Sequence, residues 1–538
     1  MRNIQVRISV EMVETQDAVT EGDNPGRMDD GSFSVILGNE AEFDISRLEN
    51  VMLRTAYPAL RTALSEHLED ASEKKAHEKL KLLGTGSVQE HASPYQVDGE
   101  IGRFTFRSYD VKSQDKKISF NGLTVFPSRG GREWHQTTGY KELGLVTGAA
   151  QRSYRETVNV FNRSRHQQVG GTPLNTLRDG AQAEGLKVLD FVDKKTQVIL
   201  KAHDFDPQGV PEAHCAVTQK IADPAYLEGQ AIQKALDGVL EKMSKKGFSA
   251  ADMEEVKKAA FCEKVYEQVE KCVYVHIDDV GVKEQKEQRG KKGAAKEPPE
   301  VKKEETKDKR PMVQNTVARI EHNKQGFTLT GRSLSEVLVF VLGFLLNNKL
   351  FDFNIKVCTD GKRSLQDAIL SFFSWYPHLT MLLDWFHVVK KFKEDLSLAC
   401  KGREIRNRHL KQLLTLLWFG LTDKAIAYLQ TIPATDIKNA DAIKRLIGYL
   451  ERNRKSLPCY AMRAQLNLPN SSNPVERSNN LVTAKRQKHH GMSWSDDGSY
   501  ALTALNALTA NKTTQQWLQK RSFELSWPAK VAKTVKAA

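Results

Sequence analysis

Hydrophobic and polar positions alternate along this chain with two periods, and the period changes mark its elements. From Ile45 to about Leu83, Leu48, Val51, Met52, Ala56, Leu60, Leu64 and Leu68 recur at three- and four-residue steps, which predicts a long helix. Arg103-Phe104-Thr105-Phe106-Arg107-Ser108 alternates and is opened by Gly102, which predicts a strand; Leu123 to Pro127 is its expected partner. The helical period returns from Gly139 to about Ala183. There Ser153 to Asn162, the turn Gly170-Gly171-Thr172-Pro173, and Leu174, Leu177 and Ala181 together suggest a helix-turn-helix. Further helices are expected over Ala231 to Met243 and Ala251 to Val269. Residues Glu14 to Gly31, acidic and carrying Gly, Asp and Pro, are expected to be a mobile loop.

Beyond residue 270 the pattern becomes denser. Val273 to Ile277 is an apolar strand closed by Asp278. Thr316 to Glu321 and Phe327 to Thr330 read as two more strands. Ser333, with Glu336 three residues on as a capping-box partner, opens the apolar helix Val337 to Leu346. Asn354 to Thr359 is a fourth strand, closed by Asp360 with Gly361 as the turn residue. Ser364 to Trp375 is helical, and Leu379 to Leu383 is a fifth strand. The order βββαβα is that of the ribonuclease-H-like fold, with a mixed five-stranded sheet. Gln285 to Pro311, rich in Lys, Glu, Gly and Pro, lacks the apolar surface to offset ordering entropy and is expected to be a flexible loop between strands. From His387 to about Met462 nearly everything is helical. One stripe is Leu410, Leu413, Leu414, Leu417 and Trp418; another is Ile426, Leu429, Ile443, Leu446, Ile447 and Leu450. Such stripes predict an all-α insertion with its own core.

Composition adds a partner class. Hydrophobic content of 40% and charged content of 27% suit a globular protein, and 538 residues suggest about three domains. Lys and Arg number 80 against 67 Asp and Glu, a formal charge of +13, so a polyanion is the first candidate partner. The six cysteines, at 215, 262, 272, 358, 400 and 459, form no C-x-x-C pair; they read as buried free thiols of a reducing compartment. The start lacks an apolar signal-peptide core, and the longest apolar run is too short for a bilayer, which needs about 20 residues.

The candidate chemistry lies in three acids. Asp278 and Asp360 each close a strand, and Glu476 sits in Ser472-Asn473-Pro474-Val475-Glu476-Arg477, just inside a helix start. Two strand-end aspartates and a helix-borne glutamate are the donors a pair of Mg²⁺ (or Mn²⁺) ions wants, hard oxygens converging beside a phosphate. Asp279 competes with Asp278 for the first role, and Asp384 with Asp360 for the second, because Asp384 also ends an apolar strand. His387 reads as a supporting residue near the site. Arg477, Lys485, Arg486 and Lys488, with His489 and His490 just after them, are candidate phosphate contacts on and beyond the glutamate helix. Arg163, Arg165 and Arg178, with His166, are the same for the helix-turn-helix.

These segments resemble a known family. Tyr274-Val275-His276-Ile277-Asp278-Asp279-Val280-Gly281-Val282 is similar to the first-aspartate segment of bacterial DDE transposases of the ISKra and ISLre insertion-sequence kind, relatives of the mutator transposases. Thr359-Asp360-Gly361 with Leu365 and Ala368-Ile369 resembles their second-aspartate segment. Asp384-Trp385-Phe386-His387 resembles the C/D-x-x-H motif that follows. Asn473 to Asn480, Lys485 to Lys488 and Gly491-Met492-Ser493-Trp494-Ser495 resemble the glutamate helix and its terminal signature. The resemblance spans about 270–510, more weakly 139–187. Asp279, where relatives carry small residues, the lack of paired cysteines, and the lysine-rich loop are departures. The resemblance implies that Asp278, Asp360 and Glu476 are the catalytic metal ligands, with Asp384 and His387 supporting them. It implies a two-ion DNA transposase that cuts element ends and joins them to double-stranded target DNA, homo-oligomeric, in the bacterial cytoplasm at the nucleoid. A silent, domesticated DNA-binding protein and a ribonuclease-H-like nuclease without strand transfer are the alternatives. The expected division is a mixed helix/strand region over 1–138 and a helix-turn-helix-like DNA-binding region over 139–270, together mainly helical. An α/β catalytic domain over 271–387 plus 470–515 would follow, interrupted by an all-helical insertion over 388–469 and ending in a tail over 516–538.

Overall fold

The computed structural model describes residues 3–13, 27–39, 45–83, 88–113, 118–120, 136–150, 153–166, 171–221, 223, 225–263, 266–285, 311–488 and 492–528. The expected pairing segment Leu123 to Pro127, the bulk of the lysine-rich loop, and His489 and His490 lie outside them. Contacts divide the chain into two units, one over residues 1–181 with 518–521, the other over 182–517 with 522–538.

The first unit opens with the antiparallel pair β1 (Asn3–Val13) and β2 (Arg27–Asn39). β2 begins inside the stretch expected to be a loop, so that expectation is too long at its C-terminal end. α1 spans Ile45–Leu83, as the periodicity predicts. A three-stranded antiparallel sheet follows: β3 (Val88–Gly99), β4 (Gly102–Ser113) and β5 (Ile118–Phe120), with β4 central. Pro94 lies within β3 and is tolerated because β3 is an edge strand, where a missing N–H costs no ladder bond. Val97, Phe104 and Phe106 form the small core of this sheet, with Leu64 and Leu68 of α1 against it. The helices α2 (Thr138–Ala150), α3 (Tyr154–Ser164) and the start of α4 (Leu174–Ala202) pack around Tyr140, Phe161 and Leu177.

The second unit contains the rest of α4, then α5 (Ala216–Gln219), α6 (Gly229–Lys245) and α7 (Ala250–Lys258). The expected helix to Val269 stops early: a π turn over Ala259–Glu263 ends it, and Glu267 leaves the helical path to meet Arg463. The central sheet has five strands in the order β10-β9-β6-β7-β8. They are β6 (Cys272–Lys283), β7 (Met312–His322), β8 (Gln325–Gly331), β9 (Asn354–Thr359) and β10 (Leu379–Leu383). β6, β7 and β8 form an antiparallel meander; β9 runs parallel to β6, and β10 parallel to β9. α8 (Leu334–Asn347), with Ser333 as N-cap to Glu336, and α9 (Arg363–Phe372) fall between the strands. α10 (Trp385–Ala399), α11 (Arg403–Trp418), α12 (Thr422–Gln430), α13 (Ala440–Asn453) and α14 (Tyr460–Gln465) make the insertion. Their apolar stripes build one core, which Leu236, Val239 and Met243 of α6 share. α15 (Asn473–Asn479), α16 (Lys485–Gln487), α17 (Asp496–Ala510) and α18 (Thr514–Lys520) complete the chain.

Strand alternation assigns the two sheet faces. Phe327 of β8, which pairs with Ile320, stacks on Phe344 of α8. Val317, three residues from Ile320 and therefore on the opposite face, packs on Val475, Val482 and Ala507 of the α15–α17 segment. Beyond the expected catalytic boundary the chain stays engaged: Trp517 and Phe523 pack on Phe191, and Trp527 on Phe344.

Candidate functional site: a carboxylate cluster on one sheet face

Strand register brings the two aspartates together. β6 and β9 pair in parallel from Cys272 opposite Asn354 to His276 opposite Cys358. The offset is constant, 358 − 276 = 82, and 360 − 278 has the same value, so Asp360 follows β9 at the level of Asp278. Neighbouring strands lie about 4.8 Å apart, so the two backbones are adjacent here. Asp278 pairs with Val317 and shares its face; α15, which carries Glu476, packs on β6 and β7 over that face. Asp279 pairs with Thr316 on the opposite face and is held there, accepting from Thr316 Oγ1 at 2.7 Å and lying 3.3 Å from Lys362 Nζ. Alternation therefore separates the two adjacent acids that the sequence left in competition.

The charges of the acids are coupled. Burial pushes the Asp278 carboxyl up to about 6, and the charges of Glu476 and then Asp360 add to it. Asp278 accepts from its neighbour's backbone N–H, Asp279 N, at 2.8 Å and from Asn479 Nδ2 at 2.7 Å. Asp360 accepts from Lys362 N at 2.8 Å, which closes the turn at Gly361. That glycine has φ +82°, and a Cβ there would lie 2.8 Å from Leu383 Cδ1. The three acids are not drawn into a single-ion cage: among the described residues, the group whose ligand atoms all lie within 4.8 Å of one another is Asp204, Glu212 and His214, on a surface loop.

Asp384 is fully buried as the N-cap of α10. It accepts from Phe386 N at 2.6 Å, from Ser472 N at 2.8 Å and from the Ser472 hydroxyl, and it lies 3.2 Å from His387 Nδ1. Burial alone would raise its carboxyl; the bonds from His387 and Ser472 outweigh this and hold it below its ordinary value. The same bond to Asp384 raises the His387 imidazole. The other ring nitrogen, Nε2, lies 3.5 Å from Glu476 Oε1. A chain of contacts thus runs Ser472–Asp384–His387–Glu476, with His387 between a buried carboxylate and a half-exposed one. Ser472 is the N-cap residue of α15, but its hydroxyl serves Asp384 and not the helix.

The basic candidates divide. Arg477, Lys485 and Lys488 are exposed along α15 and α16. Arg486, expected beside them as a phosphate contact, is buried with its guanidinium 5.2 Å over the Trp494 ring. In the first unit Arg163 is exposed and Arg178 half-exposed in a pair with Asp179. Arg165, expected to meet DNA, is fully buried; it donates to Gly99 O at 2.8 Å, Thr172 Oγ1 at 2.8 Å and Asp98 Oδ1 at 3.2 Å. Both buried arginines are committed to internal packing and are not available to a phosphate in this conformation. Asn479 and Ser472 were not among the sequence candidates. Asn479 lies three residues after Glu476, one helical turn on, and that spacing is the signal that could have found it.

No known family's sequence profile matches the chain, and no curated protein matches it. Among solved structures, the Drosophila P element transposase strand transfer complex is similar at 9% identity and a TM-score of 0.20, over 75% of this chain and 84% of that one. A likeness that loose carries no weight for site or mechanism. No helix among the described residues is long and apolar enough to cross a membrane.

Proposed function

We propose that this protein is a DNA transposase of the DDE kind, with a ribonuclease-H-like core built on the β10-β9-β6-β7-β8 sheet. The observation that carries the reading is the shared level of Asp278 and Asp360 on adjoining parallel strands, with Glu476 on the helix that covers the same face. The donors fit divalent ions: all are hard oxygens, and the crowding that raises Asp278 is what a cation would relieve. Asp278, Asp360 and Glu476 would hold two Mg²⁺ or Mn²⁺. Bound there, such ions supply an activated oxygen nucleophile and stabilise the departing 3′-oxygen of a phosphodiester.

The protein's own groups set the stage for that chemistry. Asn479 fixes the rotamer of Asp278, and the Asp360 side chain is set by the Lys362 N–H. His387, its imidazole raised by the bond to Asp384, lies between Asp384 and Glu476 and, when protonated, would balance part of the cluster's negative charge. Arg477, Lys485 and Lys488, all exposed, would meet the backbone phosphates of double-stranded DNA, which fix position and not sequence. No protein nucleophile is required, and a homo-oligomer would bring two element ends together.

The test uses the full-length protein with supercoiled DNA carrying the sequences that flank its coding region, with and without Mn²⁺. Metal-dependent nicking and joining to a target plasmid are expected from the wild type, and neither from Asp278→Ala, Asp360→Ala or Glu476→Ala. Cutting without joining would make it a nuclease; binding without cutting, a silent DNA-binding protein. Undiminished cleavage by Glu476→Ala would remove the basis for the reading.

A further inference from the structure

A cavity of about 500 Å³ opens in the second unit between the edge strand β10, the end of α7 and the segment between α13 and α14. Lys356, Thr380 and Leu382 line its sheet side. Lys356 lies four residues before Asp360 on the same strand path, about 13 Å at 3.3 Å per residue, and none of the three acids lines this space. It is a separate site.

Its floor is charged in an unbalanced way. Glu267 is buried and accepts from Arg463 Nη2 at 2.8 Å, from Lys356 Nζ at 3.1 Å and from Tyr274 OH at 3.0 Å. One carboxylate therefore faces two cations, which leaves a net positive charge under the cavity. Arg463 is spent on Glu267 and on the Pro469 carbonyl, whereas the Lys356 ammonium has donors left and lines the space. At the mouth Asp423 pairs with Arg454 at 2.5 Å, Lys424 is shared between Asp252 and Glu255, and Lys455 adds a positive charge that offsets the surplus acid.

Tyr266 lines the cavity and is 2% exposed, with its hydroxyl sealed from any water-sized molecule, so it adds wall and no donor. Apolar walls from Val256, Leu382, Phe419 and Leu457 complete the enclosure. Its volume is that of a pocket for a small organic molecule.

We propose that this cavity binds a small organic anion, with its phosphate or carboxylate against Lys356 and its apolar body against Phe419 and Leu382. The ion gives orientation; the walls give contact area.

The test is calorimetry on the full-length protein with phenyl phosphate and benzoate as probes of the two anionic groups and benzyl alcohol as the uncharged control. Saturable binding of at least one anion is expected, with no binding of the alcohol. Lys356→Gln should weaken it at least tenfold. Thr380→Trp, which fills the cavity from an exposed edge-strand position, should abolish it. Circular dichroism and the melting temperature of each variant show that it is folded, so lost binding is separated from lost structure. Absence of saturable anion binding, or binding that survives both Lys356→Gln and Thr380→Trp, would overturn the assignment, whatever the outcome of the DNA cleavage assays.

Discussion

Asp278→Asn should stabilise the metal-free protein at neutral pH even as it destroys the proposed activity. Burial and the charges of Glu476 and Asp360 raise the Asp278 carboxyl from 3.8 to about 6. At 1.36 kcal/mol per tenfold change in acid strength, ionising it in the folded state costs about 3 kcal/mol. The sign follows from the direction. The folded state favours the protonated carboxyl, so the stabilising contribution is complete below about pH 4 and is lost as the pH rises through 6. An asparagine has no charge to bury and escapes that loss. It also fits the existing bonds. Its carbonyl can accept from Asp279 N, and the Asn479 amide can turn over, since its Oδ1 is buried without a partner among the described residues. Differential scanning calorimetry with EDTA, at pH 4.5 and 7.5, measures the difference. At about 2–4 °C per kcal/mol for a 150–250-residue domain, the variant should melt several degrees above the wild type at pH 7.5 and close to it at pH 4.5. Mn²⁺ should raise the melting temperature of the wild type and leave that of the variant nearly unchanged. A variant no more stable than the wild type at pH 7.5, or a gain that is the same at both pH values, would refute the account of the cluster's electrostatics.

Three further outcomes are expected. The His387 imidazole, raised by its bond to Asp384, should titrate above its ordinary value by NMR, and Asp384→Asn should bring it down; an unmoved titration would break the proposed contact chain. Arg165→Met should destabilise the first unit by roughly 3 kcal/mol, the lower end for breaking a buried pair because Arg103 still holds Asp98, and urea unfolding measures it. Replacing Lys485 and Lys488 by alanine should weaken DNA binding about equally for all sequences and lower its salt dependence, whereas Arg486→Ala should lower stability, because Arg486 packs on Trp494.

The long helix α1, the strands β6 to β10 and the stripes of the insertion were legible because each rests on a local period that packing then obeyed. The missed strands have identifiable causes. Ile4, Val6, Ile8 and Val10 alternate in β1, a signal present in the chain but not carried into the expected elements. Pro94 argues against a strand, and only an edge position permits it in β3. The end of α7 was unreadable because Glu267 is drawn to Arg463, 196 residues away.

By itself the sequence determined that Asp360 follows a strand, that Glu476 begins a helix, and that 82 residues separate Asp278 from Asp360; Asp278, expected to close its strand, lies inside β6, which pairing with β7 carries on to Lys283. Only the tertiary structure decided that 82 is also the register offset of β6 and β9, which turns a spacing into a neighbourhood. It likewise sent Asp279 to the other face, placed α15 over the sheet, and buried Arg165 and Arg486 while leaving Lys485 and Lys488 in solvent. The physical reason is that period and capping act within a few residues, whereas register, face and burial are properties of segments that meet from afar.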